Sequence, residues 1–349
     1  MTRHSIAVIP GDGIGPEVVA AAEPVLIRAA RRDGVDLEIE RFPYGAEHYR
    51  QTGETLPNHA FARLEREFDA ILVGALGDPR VPNNEHARDI LLGLRFRLDL
   101  YVNFRPIRLL HPRLTPLKRA EAIDFVVFRE NTEGPYVGRG RALHVGTPDE
   151  EQISEEVHTR RGVTRILEAA FRWADEHGRT RVTMCDKANA IPFHRIWGEC
   201  FTAVGAQFPD IECEHRYIDA LALELVRAPE RFQLIVTNNL YGDIVSDLGA
   251  GLVGGLGLTP SANLHPGRPG LFEPVHGSAP PLSGKAVANP IATILTGALM
   301  LDALGHPESA ERIEAAVQRV IADGPTTPDL GGSASTLDVA HAIEQAVDG

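Results

Sequence analysis

Apolar residues in this chain follow two rhythms, short unbroken runs and longer stretches spaced by three and four. Residues 6–9 read as a buried strand. Residues 16–31 follow as a helix, with Pro16 in its first turn, where a missing N–H costs little. Further short runs at 69–73, 123–128 and 233–237 predict strands, and 211–218 alternates like a half-buried one. Between 163 and 174 the residues Val163, Ile166, Leu167, Ala170, Phe171 and Ala174 keep helical spacing, and Gly178 then supplies a stop. A second helical face carries Phe193, Ile196, Trp197, Cys200, Phe201 and Val204, and two more helices are expected around 313–321 and 337–347. Strands separated by helices predict an α/β fold with open parallel or mixed sheets. Residues 134–158, rich in glycine and charge, read either as an exposed loop or as an arm that pairs with another subunit.

Composition narrows this picture. With 349 residues, 43% hydrophobic and 24% charged, the chain has material for two domains or one large discontinuous one. The formal charge of -13 argues against nucleic acid, whose phosphates need a basic face, but leaves room for an anionic substrate held by a local arginine cluster. Cys185, Cys200 and Cys213 form no CxxC pair, which fits reduced thiols in a cytoplasmic protein. The apolar stretch at 5–9 is too short for a secretory signal, and 248–258 and 291–301 fall short of a membrane span, so a soluble protein is expected.

Several segments carry candidate chemistry, each with a plainer reading beside it. Gly11-Asp12-Gly13-Ile14-Gly15-Pro16-Glu17 joins a strand to a helix; it is a tight turn or a cofactor loop, and its spacing is not the dinucleotide fingerprint. Arg95, Arg105 and Arg129 suit a dicarboxylate, because a guanidinium fork matches a carboxylate bidentately; they are equally three unrelated ion-paired arginines. In Asn238-Asn239-Leu240-Tyr241-Gly242-Asp243-Ile244-Val245-Ser246-Asp247, a helix starting near Gly242 sets Asp243 and Asp247 at i and i+4 on one face. Such oxygen ligands suit Mg²⁺ or Mn²⁺, although acidic residues are also common in a first helical turn. Asp219 closes the alternating strand as a third carboxylate. Lys187 and Tyr136 are proton-transfer candidates or surface residues, and His276-Gly277-Ser278-Ala279-Pro280-Pro281 with Asn289 is a nucleotide loop or a cap on the sheet.

Together and in this order, these segments resemble the β-decarboxylating dehydrogenases, the isocitrate/isopropylmalate dehydrogenase family. The resemblance runs from the Gly11–Glu17 turn to Asp329-Leu330-Gly331-Gly332-Ser333-Ala334 and includes Phe272-Glu273-Pro274-Val275 before His276. It implies a two-domain fold that is not a Rossmann domain: residues 1–100 with 254–349 for the cofactor, and 101–253 for dimerisation and substrate, with the arm at about 134–158. It implies a homodimer whose active sites lie between domains and are shared: Asp219, Asp243 and Asp247 hold Mg²⁺ or Mn²⁺, the last two at home, while Lys187 and Asp219 are lent to the neighbour. Lys187 would take the hydroxyl proton and Tyr136 would protonate the enol carbon. Arg95, Arg105 and Arg129 would hold the substrate carboxylates, and Ile14, His276, Gly277, Ser278, Ala279 and Asn289 the NAD. Ile90-Leu91-Leu92-Gly93-Leu94 precedes Arg95, and an apolar wall there favours an alkyl group over a buried unpaired carboxylate. The implied substrate is therefore 3-isopropylmalate, as in leucine biosynthesis, or a close 3-substituted malate. Ala190, where the family usually places a bulkier aliphatic residue, widens the pocket. D-malate or tartrate is the alternative substrate, and a catalytically silent regulatory subunit the alternative class. Pro281 stands where NAD-dependent relatives place an aspartate, yet no cation replaces it to receive the 2′-phosphate of NADP.

Overall fold

A computed structural model describes residues 2–119 and 122–348. The chain divides into two compact units: residues 1–100, 108–118 and 250–349 in one, 101–107 and 119–249 in the other.

In the first unit the strands run in the order Val35–Arg41, Thr2–Gly11, Ala70–Ala75, Gly270–Pro274, Pro260–Leu264. The first four are parallel and the last pair antiparallel. Ala70–Ala75 is buried at every position, as a strand covered on both faces must be. Gly15–Arg32 packs against Ile291–Ala303, where a Cβ on Gly297 would sit 2.3 Å from a Leu26 methyl, so only glycine lets the two helices approach this closely. Ile291–Ala303 is the apolar stretch that was too short for a membrane; its residues from Ile291 to Ala298 are all buried, so it is apolar all round because it is enclosed. No described helix is long and apolar enough to cross a membrane.

In the second unit the order is Val102–Arg108, Asp124–Glu130, Leu234–Thr237, Arg181–Asp186, Glu212–Tyr217, and the last four are parallel. Arg160–Glu176 buries Val163, Ile166, Leu167, Ala170, Phe171 and Ala174. Thr159 caps it through the Gly162 N–H, and Gly178 follows its end at φ +63°, the left-handed turn that glycine adopts without strain. Phe171 stacks on Phe208 and tilts against Phe201 of the Arg195–Gly205 helix. Phe171 and Phe201, both buried, each contribute about 1.5–3 kcal/mol from the apolar surface removed from water.

Two sequence expectations need correcting here. Phe193 does not share the buried face of the Arg195–Gly205 helix: Pro192 opens a short 3-10 turn before it, and the ring is 81% exposed. Asp219 does not close a strand; the strand ends at Tyr217, and Asp219 sits in the first turn of the Ile218–Arg227 helix, where a carboxylate complements the helix dipole. The 134–158 segment contains an antiparallel hairpin, Gly140–Leu143 with Glu151–Ser154, nearly all exposed.

Candidate active site

Arg129 and Arg105 arise from neighbouring strands of the second unit's sheet, and both side chains are almost wholly buried. A buried guanidinium must be paired, and the Asn239–Leu252 helix supplies the partners. Arg129 reaches Asp243 at 2.5 Å and donates to Asn239 Oδ1 through Nε and Nη2. Arg105 donates to Ser246 Oγ at 2.6 Å and lies 3.3 Å from Asp243 and 3.5 Å from Asp247. Tyr136, on the Pro135–Val137 turn, donates its hydroxyl to Asp243 Oδ2 at 3.1 Å. Arg105, Arg129, Tyr136, Asp243 and Asp247 thus meet at one place.

This helix begins at Asn239, three residues before the expected start, and Asp243 and Asp247 stand one turn apart within it. Burial raises the Asp247 carboxyl above its usual range and the charge of Asp243 adds to this, while Arg105 and Arg129 pull it down. Burial likewise raises the Tyr136 phenol, with Asp243 reinforcing it, so the hydroxyl keeps its proton through the neutral range. Two guanidinium groups against two carboxylates leave the patch near neutral. A divalent cation would make it positive by two units, which a dicarboxylate balances.

Three residues here were not singled out from sequence: Asn239, Gly242 and Ser246. Asn239 also donates to the Glu133 carbonyl, tying the helix to the turn that carries Tyr136. A Cβ on Gly242 would lie 2.5 Å from Arg129 Cγ, so glycine is needed for the helix to cross this arginine. All three lie inside the quoted motif, but their partners come from distant strands.

Lys187 leaves the end of the Arg181–Asp186 strand and pairs with Asp219, whose carboxyl this ammonium holds below the usual range. The Lys187 carbonyl accepts from Ala190 and Ile191 N–H, and Ala190 is exposed. Among the described residues of one chain, Asp219 does not join Asp243 and Asp247 in a three-ligand cluster.

In the first unit, the Gly11–Gly15 turn packs on the His276–Ala279 loop. Gly13 (φ +57°) approaches so closely that a Cβ would lie 2.0 Å from the Ser278 carbonyl, which accepts from Ile14 N–H at 2.9 Å. Ile14 is buried with Val18 and Ala288, and Ala279 packs on them at φ +40°, sparsely allowed for a residue with a Cβ. His276 Nδ1 lies 3.1 Å from the Gly277 carbonyl, while its buried Nε2 has no hydrogen-bond partner. Burial lowers the imidazole's pKa and keeps it neutral, so Nε2 is an acceptor awaiting a donor. Gly277 is exposed, Ser278 buried. Asn289 is occupied internally, donating to Asp329 and capping Ile291. Asp12 anchors this turn by accepting from Ala46 and Gly77 N–H and from buried His86, a tie invisible in the local pattern.

Arg95 reaches Glu273 at 2.5 Å, and its buried Nε lacks a partner. Leu91 and Leu92 are half-buried one turn earlier, and Leu91 packs against the core cluster that includes Ile90 and Leu94.

Comparison with known proteins widens the frame. The family described as Isocitrate/isopropylmalate dehydrogenase matches residues 5–345. The chain is 45% identical to the 3-isopropylmalate dehydrogenase of Beutenbergia cavernae, covering all of both chains. It is also 45% identical to the D-malate dehydrogenase [decarboxylating] of Escherichia coli over 98% of each. Among solved structures, isocitrate dehydrogenase from Methylococcus capsulatus superposes with a TM-score of 0.90 at 38% identity, over 99% of this chain and all of that one. Motif order, α/β architecture and these full-length likenesses agree: the chain belongs to the isocitrate/isopropylmalate dehydrogenase family.

Proposed function

We propose that the protein oxidises and decarboxylates 3-isopropylmalate, or a malate with a closely similar 3-substituent, reducing NAD with the help of Mg²⁺ or Mn²⁺. The observation that carries this is the meeting of Arg105, Arg129, Tyr136, Asp243 and Asp247, two cations and a proton donor around two carboxylates. Carboxylate oxygens one helical turn apart fit a hard divalent cation, which would offset the desolvation that raises the Asp247 carboxyl. The orphaned Nε2 of His276, on the loop that packs against the glycine turn, fits a hydrogen-bond donor of a nucleotide. A bound metal would supply Lewis acidity at the C2 oxygen, and NAD would accept the hydride.

The chain's own residues do the rest. Arg95, Arg105 and Arg129 hold the substrate carboxylates, so its charge is neutralised before reaction. Lys187, as the neutral amine, takes the C2 hydroxyl proton, and Asp219 orients the ammonium so formed. Tyr136, protonated at neutral pH, gives a proton to the enol carbon after CO₂ leaves. Gly277, Ser278, Ala279, Ile14 and Asn289 shape the cofactor site together with His276. Pro281 offers neither an acid for ribose hydroxyls nor a cation for a phosphate, which leaves NAD the better match.

The protein acts as a homodimer in this reading. Leu223 and Val226 are 57% and 45% exposed on the Ile218–Arg227 helix, and Ile244 is 52% exposed on the neighbouring motif helix. Apolar side chains exposed on successive helices favour a partner face of the same kind. Lys187 and Asp219 then serve the neighbour's site.

Substrate choice rests on Leu91 and Leu92, with Ala190 leaving room beyond an isopropyl group. Leu91→Ala is expected to lower the preference for 3-isopropylmalate over D-malate by about 1–3 kcal/mol in kcat/KM, the worth of a partial hydrophobic contact. Since Leu91 also packs on the core, the ratio between substrates is the readout. An equal loss on both substrates would make Leu91 structural only. Ala190→Val should hurt a 3-benzyl malate more than an isopropyl one.

A further inference from the structure

Glu156, His158 and His194 have no part in the chemistry above. Glu156 and His158 follow the exposed hairpin, and His194 ends the Pro192–His194 turn. Their ligand-capable atoms all lie within 4.8 Å of one another. Glu156 Oε1 is 3.0 Å from His158 Nε2, and Oε2 is 3.1 Å from His194 Nε2. The two rings meet edge to face with centroids 5.1 Å apart. The His194 side chain is wholly buried and that of His158 is 7% exposed. His158 Nε2 is buried without a hydrogen bond; it faces the carboxylate but is not angled to donate to it. The two imidazoles beside it, His158 foremost and then His194, hold the Glu156 carboxyl below its usual range, so it is ionised at neutral pH. A cleft of about 510 Å³, lined by Arg139, Arg160, Phe193 and Glu199 among others, opens beside Glu156 and His158.

We propose that Glu156, His158 and His194 form a binding site for a divalent transition metal of the zinc class, with its remaining position facing the cleft. Two imidazoles and one carboxylate are the donor set of open zinc sites, and imidazole nitrogen selects zinc, cobalt or nickel over magnesium. The oxygen-only pair Asp243 and Asp247 has the opposite preference. The site therefore stands or falls separately from the dehydrogenase reading. Occupation carries a structural cost that makes it distinctive. His194 Nδ1 now accepts the Lys187 N–H at 3.3 Å, a long bond. A metal on Nε2 puts the ring proton on Nδ1 and breaks that bond, so loading loosens the backbone at Lys187.

The test uses tag-free, full-length protein carrying Asp243→Asn and Asp247→Asn, so that the oxygen ligands are silenced, titrated with Co²⁺ alone. One equivalent is expected to bind with the strong visible absorption of low-coordinate cobalt. His158→Ala and the isosteric Glu156→Gln are each expected to weaken it at least about tenfold, the low end of what loss of even an outer partner costs. Hydrogen exchange at the Lys187 amide should speed up on loading, and not in His158→Ala. No bound cobalt, a spectrum indifferent to Glu156→Gln, or an unchanged Lys187 amide would each overturn the proposal.

Discussion

Chelation with EDTA is expected to abolish turnover, and Mg²⁺ or Mn²⁺ to restore it. The reason lies in charge. Asp243 and Asp247 sit one helical turn apart, and partial desolvation, with the neighbouring carboxylate adding to it, raises the Asp247 carboxyl even though that side chain is 55% exposed. A substrate dianion brought to this place needs more positive charge than Arg105 and Arg129 supply, since both are already engaged by Asp243. Asp243→Asn keeps the shape and one acceptor for Arg129, so the fold is expected to survive while metal affinity is lost. Calorimetric titration with Mn²⁺, beside circular dichroism, reads both outcomes. Undiminished activity in a rigorously metal-free assay would remove the metal from the account.

The second large effect belongs to Lys187. As the group that takes the hydroxyl proton, its removal in Lys187→Ala should lower kcat by about 10²–10⁴-fold, the usual worth of a positioned acid or base, with a smaller change in KM. Substrate binding is left mainly to the arginines. Shared sites add a sharper expectation. Homodimers of Lys187→Ala and of Asp243→Asn should both be inactive, yet each mixed dimer should hold one site built from unmutated halves and recover about half the sites of the parent. No recovery, with subunit exchange confirmed independently, would mean that each chain builds its site alone.

What could be read from the sequence, and what could not, follows the reach of local pattern. Periodicity foretold the buried face of the Arg160–Glu176 helix between Val163 and Ala174, because a helix shows that face in its own spacing. The α/β class followed from alternation, and the family from motifs whose order no short segment reveals. Asp243 and Asp247 were visible as a pair because i and i+4 is a local relation. Phe193 misled because its spacing continues the helical face, while Pro192 starts a separate turn and swings the ring outward. Asp219 misled because the alternation preceding it stops two residues earlier than its pattern suggests. The remaining gaps are tertiary. Ser246 matters through Arg105, Gly242 through Arg129, and Asp12 through His86, partners 141, 113 and 74 positions away by their numbering. Glu156 and His194 are 38 apart and carry no spacing that would announce them.

Steady-state kcat/KM across 3-isopropylmalate, D-malate, tartrate and isocitrate, with NAD or NADP and Mn²⁺, reads out the reaction itself. Reduced cofactor and CO₂ are expected in equal amounts, fastest at low concentration with 3-isopropylmalate and NAD. A preference for D-malate or tartrate would contradict this expectation, because an apolar wall at Leu91 and Leu92 has nothing to hold in a substrate without a 3-alkyl group.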